Sequence, residues 1–279
     1  GEGMGIRWAK RIPGVFPTEP NFEKGLIEEV KRAGEQGFSI VQLPVECVAG
    51  AIDTKFLEIK KRLEDTGVSF EVFYSPLPKE VRVTERGFNV YVWMEYLTTA
   101  MGRLAELGCK TLLWDDGKSR LLPLEGEVAG LKEQFNQFVF MLCGVAEKFE
   151  ITVCLEPLSP RRTNFLTTLQ ETVDCIALIG KQNLAVSIGL RTLYELSEGG
   201  EPYDEFLTYK EYIAHLHVEN PTQARVLTSP RPSDGFEYRP FFALVKQMGY
   251  EGIVTLPEDA DMDSLQFCRE QWDAADSPL

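Results

Sequence analysis

The chain has 279 residues, 44% hydrophobic and 26% charged, enough apolar material for a large core, which excludes a wholly disordered polypeptide. Acidic residues outnumber basic ones 43 to 29, and the net charge of -14 repels polyphosphate, so nucleic acid is not an expected partner. His215 and His217 are the only two histidines, which excludes any chemistry needing three histidine ligands. No apolar run approaches the roughly 20 residues that span a bilayer, and the N-terminal GEGMGIRWAKRIPG has no apolar signal core. The six cysteines are widely spaced with no CxxC pair, so they are expected to be reduced and the protein cytoplasmic, with no membrane partner.

Strand-like apolar runs alternate with helix-period segments along the whole chain. The first run is residues 5–9. A helix is expected over 21–36, with Glu23 and Glu28 early and Gly37 as its stop. SIVQLPVE, from Ser39, reads as the second strand, and Asp53 is placed to cap a helix that Gly67 ends. VSFEVFY is the third strand. A long helix ends at Leu107-Gly108, before the strand CKTLLW. A helix over about 127–149 precedes the fifth strand, ITVCLEPL. TTLQETVDCIALIG reads as a helix capped by Thr167 or Thr168 and stopped by Gly180, and NLAVSIGL as the sixth strand. EPYDEFLTYK is a short helix and YIAHLHVEN the seventh strand. A helix over 238–248, the strand GIVTLPE and a helix over 263–275 close the chain.

Eight strand–helix units in this length predict a (β/α)8 TIM barrel, a single domain over 1–279. The near-continuous apolar strands suit burial on both faces. A doubly wound sheet would want a glycine-rich turn after its first strand, and RWAKRIPGVFP has none. TSPRPSDG, residues 228–235, reads as a long loop.

In such a barrel, chemistry sits at the C-terminal ends of the strands. The polar residues there are Glu46, Asp115, Asp116, Glu156, Arg191, His215, His217, Glu219, Asn220 and Glu258. Glu156 follows the apolar run ITVCL, so a strand carries it to the mouth; the competing reading pairs it with Arg161 or Arg162. His215 and His217 alternate and therefore share a face, expected to be the barrel interior. Trp114, ending the fourth strand, is placed either in the packed rim or to stack on a sugar ring. Asp115-Asp116-Gly117 reads as a surface turn.

LEPL at 155–158, HLHVEN at 215–220 and DGFEYRPFFALVKQMGYEGIVTL at 234–256, in that order, resemble the xylose-isomerase-like TIM-barrel superfamily. That group holds sugar and sugar-phosphate isomerases and epimerases, hydroxypyruvate isomerase, inosose dehydratase and zinc-dependent AP endonucleases. The resemblance implies a divalent metal held by Glu, Asp, His and Glu from strands five to eight. Glu156 and His217 fall on two of these positions, whereas Gly189 and Pro257 fall on the other two and cannot be ligands. Thr192 stands where the family has a second histidine, and Arg162 where ketose epimerases bind substrate through a glutamate. Glu258 comes one residue late, which on a strand turns it to the opposite face.

The resemblance therefore implies an isomerase or epimerase of carbohydrate metabolism, acting on a small sugar or sugar phosphate through Glu156 and His217. Manganese, magnesium, cobalt or zinc would bind weakly or not at all. Arg191 is expected to take over the cationic role and meet Glu156 or a bound anion, with Arg162, Arg225, His215, Trp114 and Glu258 also binding substrate. The alternative is a non-catalytic barrel that binds a sugar acid or sugar phosphate. The endonuclease activity is excluded by the histidine count and the charge. Homo-oligomerisation is compatible with the sequence.

Overall fold

A computed structural model describes residues 5–14, 19, 21–197 and 204–276. Eight parallel strands close a barrel in sequence order, and β8 pairs back onto β1. The strands are β1 (Arg7–Arg11), β2 (Ile40–Pro44), β3 (Ser69–Tyr74), β4 (Thr111–Trp114), β5 (Thr152–Leu155), β6 (Leu184–Gly189), β7 (Ile213–His217) and β8 (Ile253–Leu256). Ten described helices surround them: α1 (Phe22–Glu35), α2 (Glu46–Ala49), α3 (Asp53–Glu64), α4 (Val90–Glu106), α5 (Ala129–Glu147), α6 (Leu169–Ile179), α7 (Leu190–Leu196), α8 (Asp204–Thr208), α9 (Arg239–Gln247) and α10 (Met262–Ala274). The expected (β/α)8 architecture is the one observed.

Local chemistry sets several helix ends. The Thr168 hydroxyl accepts the Glu171 N–H at the start of α6, and Gly180 ends that helix at φ 73°, a conformation that favours glycine. Asp261 and Ser264 exchange side-chain bonds as a capping box for α10. Asp53 does not cap α3. Ile52 occupies the cap position, and the Asp53 carboxylate instead accepts from Arg103 Nη2 at 2.9 Å. Residues 201–203 of the short helix expected over 201–210 lie outside the described residues, and α8 covers its middle.

The core has two parts. The larger lies between strands and helices. The smaller is inside the barrel and joins Ala9, Ile40, Val72, Leu113, Cys154 and Ile253. Side chains alternate along a strand, so the residue two further on in each case also points inward. Those residues are Arg11, Gln42, Tyr74, Asp115, Glu156 and Thr255: an apolar floor carries a polar layer. All six cysteines are buried thiols, and no described helix is long and apolar enough to cross a membrane.

Candidate functional site

Glu156 extends β5 by one residue, its N–H donating to the Trp114 carbonyl at 3.1 Å. Glu156 is 6% exposed, at the floor of a cavity of about 830 Å³ that opens at the C-terminal ends of the strands. Glu156 Oε1 accepts from Ser187 Oγ at 2.7 Å and lies 2.9 Å from His217 Nε2. The His217 contact is one of charge. Its ring N–H is not aimed along that line, so Nε2 is a buried polar atom with no hydrogen-bond partner among the described residues. Burial works to lower the His217 pKa, but Glu156, with Asp115 and Glu219, outweighs it and holds the imidazole above its ordinary value.

His215 sits one layer deeper, 1% exposed, and its ring meets that of His217 edge-on with centroids 4.6 Å apart. Its Nδ1 is 3.1 Å from Ser187 Oγ and its Nε2 is 2.8 Å from Thr255 Oγ1. Gln42 Nε2 donates to Thr255 Oγ1 at 3.2 Å, and Arg11 Nη1 donates to Gln42 Oε1 at 3.0 Å. One end of this chain is a guanidinium that can only donate, and the other a carboxylate that can only accept. Every proton therefore points toward Glu156. Ser187 spends its hydrogen on the carboxylate, so His215 must donate from Nδ1 and accept at Nε2. Burial, then His217 and Arg11, push its pKa well below the ordinary value, which keeps it in this neutral form.

Arg11 is the guanidinium at the mouth. It pairs with Asp115 and lies over the Tyr74 ring, 3.5 Å from the centroid. Glu258 Oε1 is 3.9 Å from its Nε. The Asp115 side chain is 5% exposed, and its Oδ1 is buried without a partner among the described residues. The surface turn expected at Asp115-Asp116 is thus corrected: Asp115 belongs to the inward-facing layer, and Asp116 accepts from Ser119 N at 2.9 Å and Ser119 Oγ at 2.8 Å.

Other expectations divide. Glu156, Gly189, His217 and Pro257 all line the cavity, as do Arg162, Arg191 and Glu258. Glu258 reaches it although it comes one residue late, because β8 stops at Leu256 and the strand rule no longer applies. Arg191 lies on α7, not on an extended strand. Its backbone N–H donates to Glu219 Oε1 at 2.6 Å, and its guanidinium reaches the Gln223 carbonyl at 3.5 Å rather than Glu156. Arg162 pairs with Glu195 at 2.9 Å, so neither it nor Arg161, 3.6 Å from the same Glu195, neutralises Glu156. Arg225 is exposed and outside the cavity lining. Trp114 is fully buried on the outer face of β4, against Phe135 and Phe138, and cannot stack on a ligand. His215, likewise, lies beneath the cavity and acts only through Ser187 and Thr255.

The residues missed by sequence reasoning are Arg11, Gln42, Ser187 and Thr255. Their signal is parity: each stands two residues beyond an inward-facing apolar position. Arg11 lies beyond the first run read from the sequence, which stops at Ala9, two residues short of the end of β1.

Two of the four positions that the resemblance assigns to metal ligands carry no donor side chain. Gly189 offers no side chain and Pro257 no donor. A Cβ built on Gly189 would meet Glu219 Oε1 at 2.9 Å, so the place of the missing ligand is filled. Among the described residues, no three histidine, cysteine, aspartate or glutamate side chains converge to hold a metal ion.

The chain is similar in structure to D-allulose 3-epimerase from Methylomonas sp., at 16% identity and a TM-score of 0.75 over 96% of this chain and 98% of that one. It is similar to 3-keto-D-glucoside 4-epimerase from E. coli, at 15% identity and a TM-score of 0.73 over 95% and 99%. It is also similar to an AP endonuclease of family 2 from Brucella melitensis, at 17% identity and a TM-score of 0.69 over 93% and 96%. At such identities these likenesses establish the fold alone. No curated protein matches the sequence. Residues 28–271 match the family model described as xylose isomerase-like TIM barrel, and the chain belongs to that family.

Proposed function

We propose that the cavity binds a small carbohydrate and moves a proton at a carbon beside its carbonyl, the step shared by sugar isomerases and epimerases. The observation that carries this reading is Glu156. One of its oxygens is held by Ser187 and faces His217, while Oε2 has no hydrogen bond among the described residues and is free to act as base. Glu156 takes the proton, and the C–H electron pair becomes the double bond of an enediolate. The charge moves to the former carbonyl oxygen, where His217 or Arg11 can meet it. Return of a proton to the same carbon gives an epimer, and to its neighbour an isomer.

The substrate is a neutral sugar. Seven carboxyl groups and five lysine or arginine side chains line the cavity, and the guanidiniums of Arg11 and Arg162 are already paired with Asp115 and Glu195. Such a balance holds hydroxyls through paired donors and acceptors and gives no surplus charge to a phosphate. The preference for anions expected from Arg191 is not carried into this reading. We further infer that the chain works as one barrel domain in a reducing compartment, in keeping with its six buried thiols.

The experiment incubates the protein in D2O with D-fructose, D-tagatose and L-ribulose and follows deuterium entry beside the carbonyl by NMR. Thermal-shift binding runs alongside, with fructose 6-phosphate as the anionic control. Exchange supports the reading. Binding without exchange would favour the non-catalytic alternative, which the loss of side-chain donors at 189 and 257 also suits. Tighter binding of the phosphate would overturn the neutral-sugar assignment.

We also infer that the family's metal site is lost. Dialysed protein titrated with Mn2+, Co2+ or Zn2+ should gain no more than about 0.5 kcal/mol of stability at micromolar metal, as expected when concentration stays below the dissociation constant. A stoichiometric ion surviving dialysis would restore ordinary metal chemistry.

A further inference from the structure

Position 189 ends β6 facing the cavity, and it is a glycine for a steric reason. Any Cβ there would stand 2.9 Å from Glu219 Oε1 and 3.5 Å from the His217 Cβ. Glutamate tips often swing away from such a clash, but this one is held. Glu219 is 4% exposed, and the Arg191 N–H donates to the same Oε1 at 2.6 Å. Glu219 follows His217 by two residues and also lines the cavity. The carboxylate missing from the end of β6 is thus replaced in space by one from the segment after β7.

We propose that Gly189 and Glu219 form one exchanged unit, in which Glu219 fills the space over Gly189 and supplies the second acid–base group beside Glu156. The acid–base part rests on the function proposed above. The proton balance closes without any co-reactant. Glu156 takes a proton from carbon and becomes the acid, and protonated Glu219 gives one to the enediolate and becomes the carboxylate. Exchange with water through the open cavity returns both to their starting forms.

Two measurements test the two halves. The first is a thermal-unfolding cycle of Gly189→Ala and Glu219→Ala, singly and together. In the presence of Glu219, Gly189→Ala should lower Tm by about 3–8 °C, the scale of overpacking in a chain this large. With Glu219→Ala the same substitution should cost less than half as much. An equal loss in both backgrounds overturns the shared space.

The second measurement is deuterium exchange on the fastest-exchanging of the three ketoses. Glu219→Gln keeps the size of the side chain and an oxygen for the Arg191 N–H. It should cut kcat at least about 100-fold while leaving KM within a few-fold. Glu219→Asp should recover part of the rate, which a purely structural role would not predict. If the wild-type protein exchanges and Glu219→Gln exchanges equally well, the acid–base role of Glu219 fails while the proposed function stands. If the wild-type protein exchanges none of the ketoses, both fail, and the thermal cycle alone decides the steric half.

Discussion

Glu156→Gln is expected to reduce deuterium exchange beside the sugar carbonyl by about 10² to 10⁴-fold, the usual contribution of a positioned general base. The substitution is nearly isosteric. The amide oxygen can still accept from Ser187 Oγ, which spans 2.7 Å in the native protein, so the His215–Ser187 chain keeps its direction. What is lost is a basic oxygen facing the cavity. The charge beside His217, 2.9 Å away, is lost as well. The His217 pKa, held up chiefly by that neighbour against burial, should then fall, and NMR titration of the imidazole reads the change directly. The sugar should still bind, because hydroxyl contacts along the walls are unaffected, so the loss belongs in kcat rather than KM. A variant that exchanges within a few-fold of wild type would move the base to another carboxylate and end the assignment of Glu156.

The barrel and its mouth were legible because they follow from repetition. Eight apolar runs separated by helix-period segments admit few closed arrangements, and a carboxylate after a run such as ITVCL must emerge at one end. Paired alternation also placed His215 and His217 on the inner face. Two kinds of information were not legible. One was the end of a strand: stopping β1 at Ala9 hid Arg11, and running β6 on beyond Gly189 turned Arg191 into a strand residue when it belongs to α7. A helix rotates successive residues by about 100°, so Arg191 does not follow the strand's alternation and its guanidinium reaches Gln223 rather than Glu156. The other was side-chain reach. That Glu219 folds back over Gly189, or that Arg11 lies on Tyr74 and meets Asp115, depends on distances between strands far apart in sequence. Composition and spacing do not encode those distances.

Parity would have settled Trp114 from the sequence. Leu113 lies in the inner cluster and Asp115 in the polar layer above it, so the residue between them must face the helices. Trp114 packs there with ring centroids 5.0 Å from Phe135 and 5.8 Å from Phe138, and its Nε1 donates to Ser119 Oγ at 2.7 Å. Trp114→Ala is therefore expected to cost about 3–5 kcal/mol, the range for emptying a large aromatic site in a packed core, measured by denaturant unfolding. Trp114→Phe keeps most of the volume and loses the bond to Ser119, for about 1 kcal/mol. Asp116 and Ser119 line the cavity, so this bond also steadies one wall of the site. The distinction from sugar stacking lies in the phenylalanine variant. A ring that stacks on a sugar would contribute to affinity, and exchanging indole for phenyl would weaken binding roughly tenfold, as a loss of about 1.4 kcal/mol implies. A ring that only packs against Phe135 and Phe138 leaves the ketose dissociation constant within about threefold, although the protein melts earlier. A tenfold loss of affinity in a folded Trp114→Phe protein would bring the indole back into the binding site.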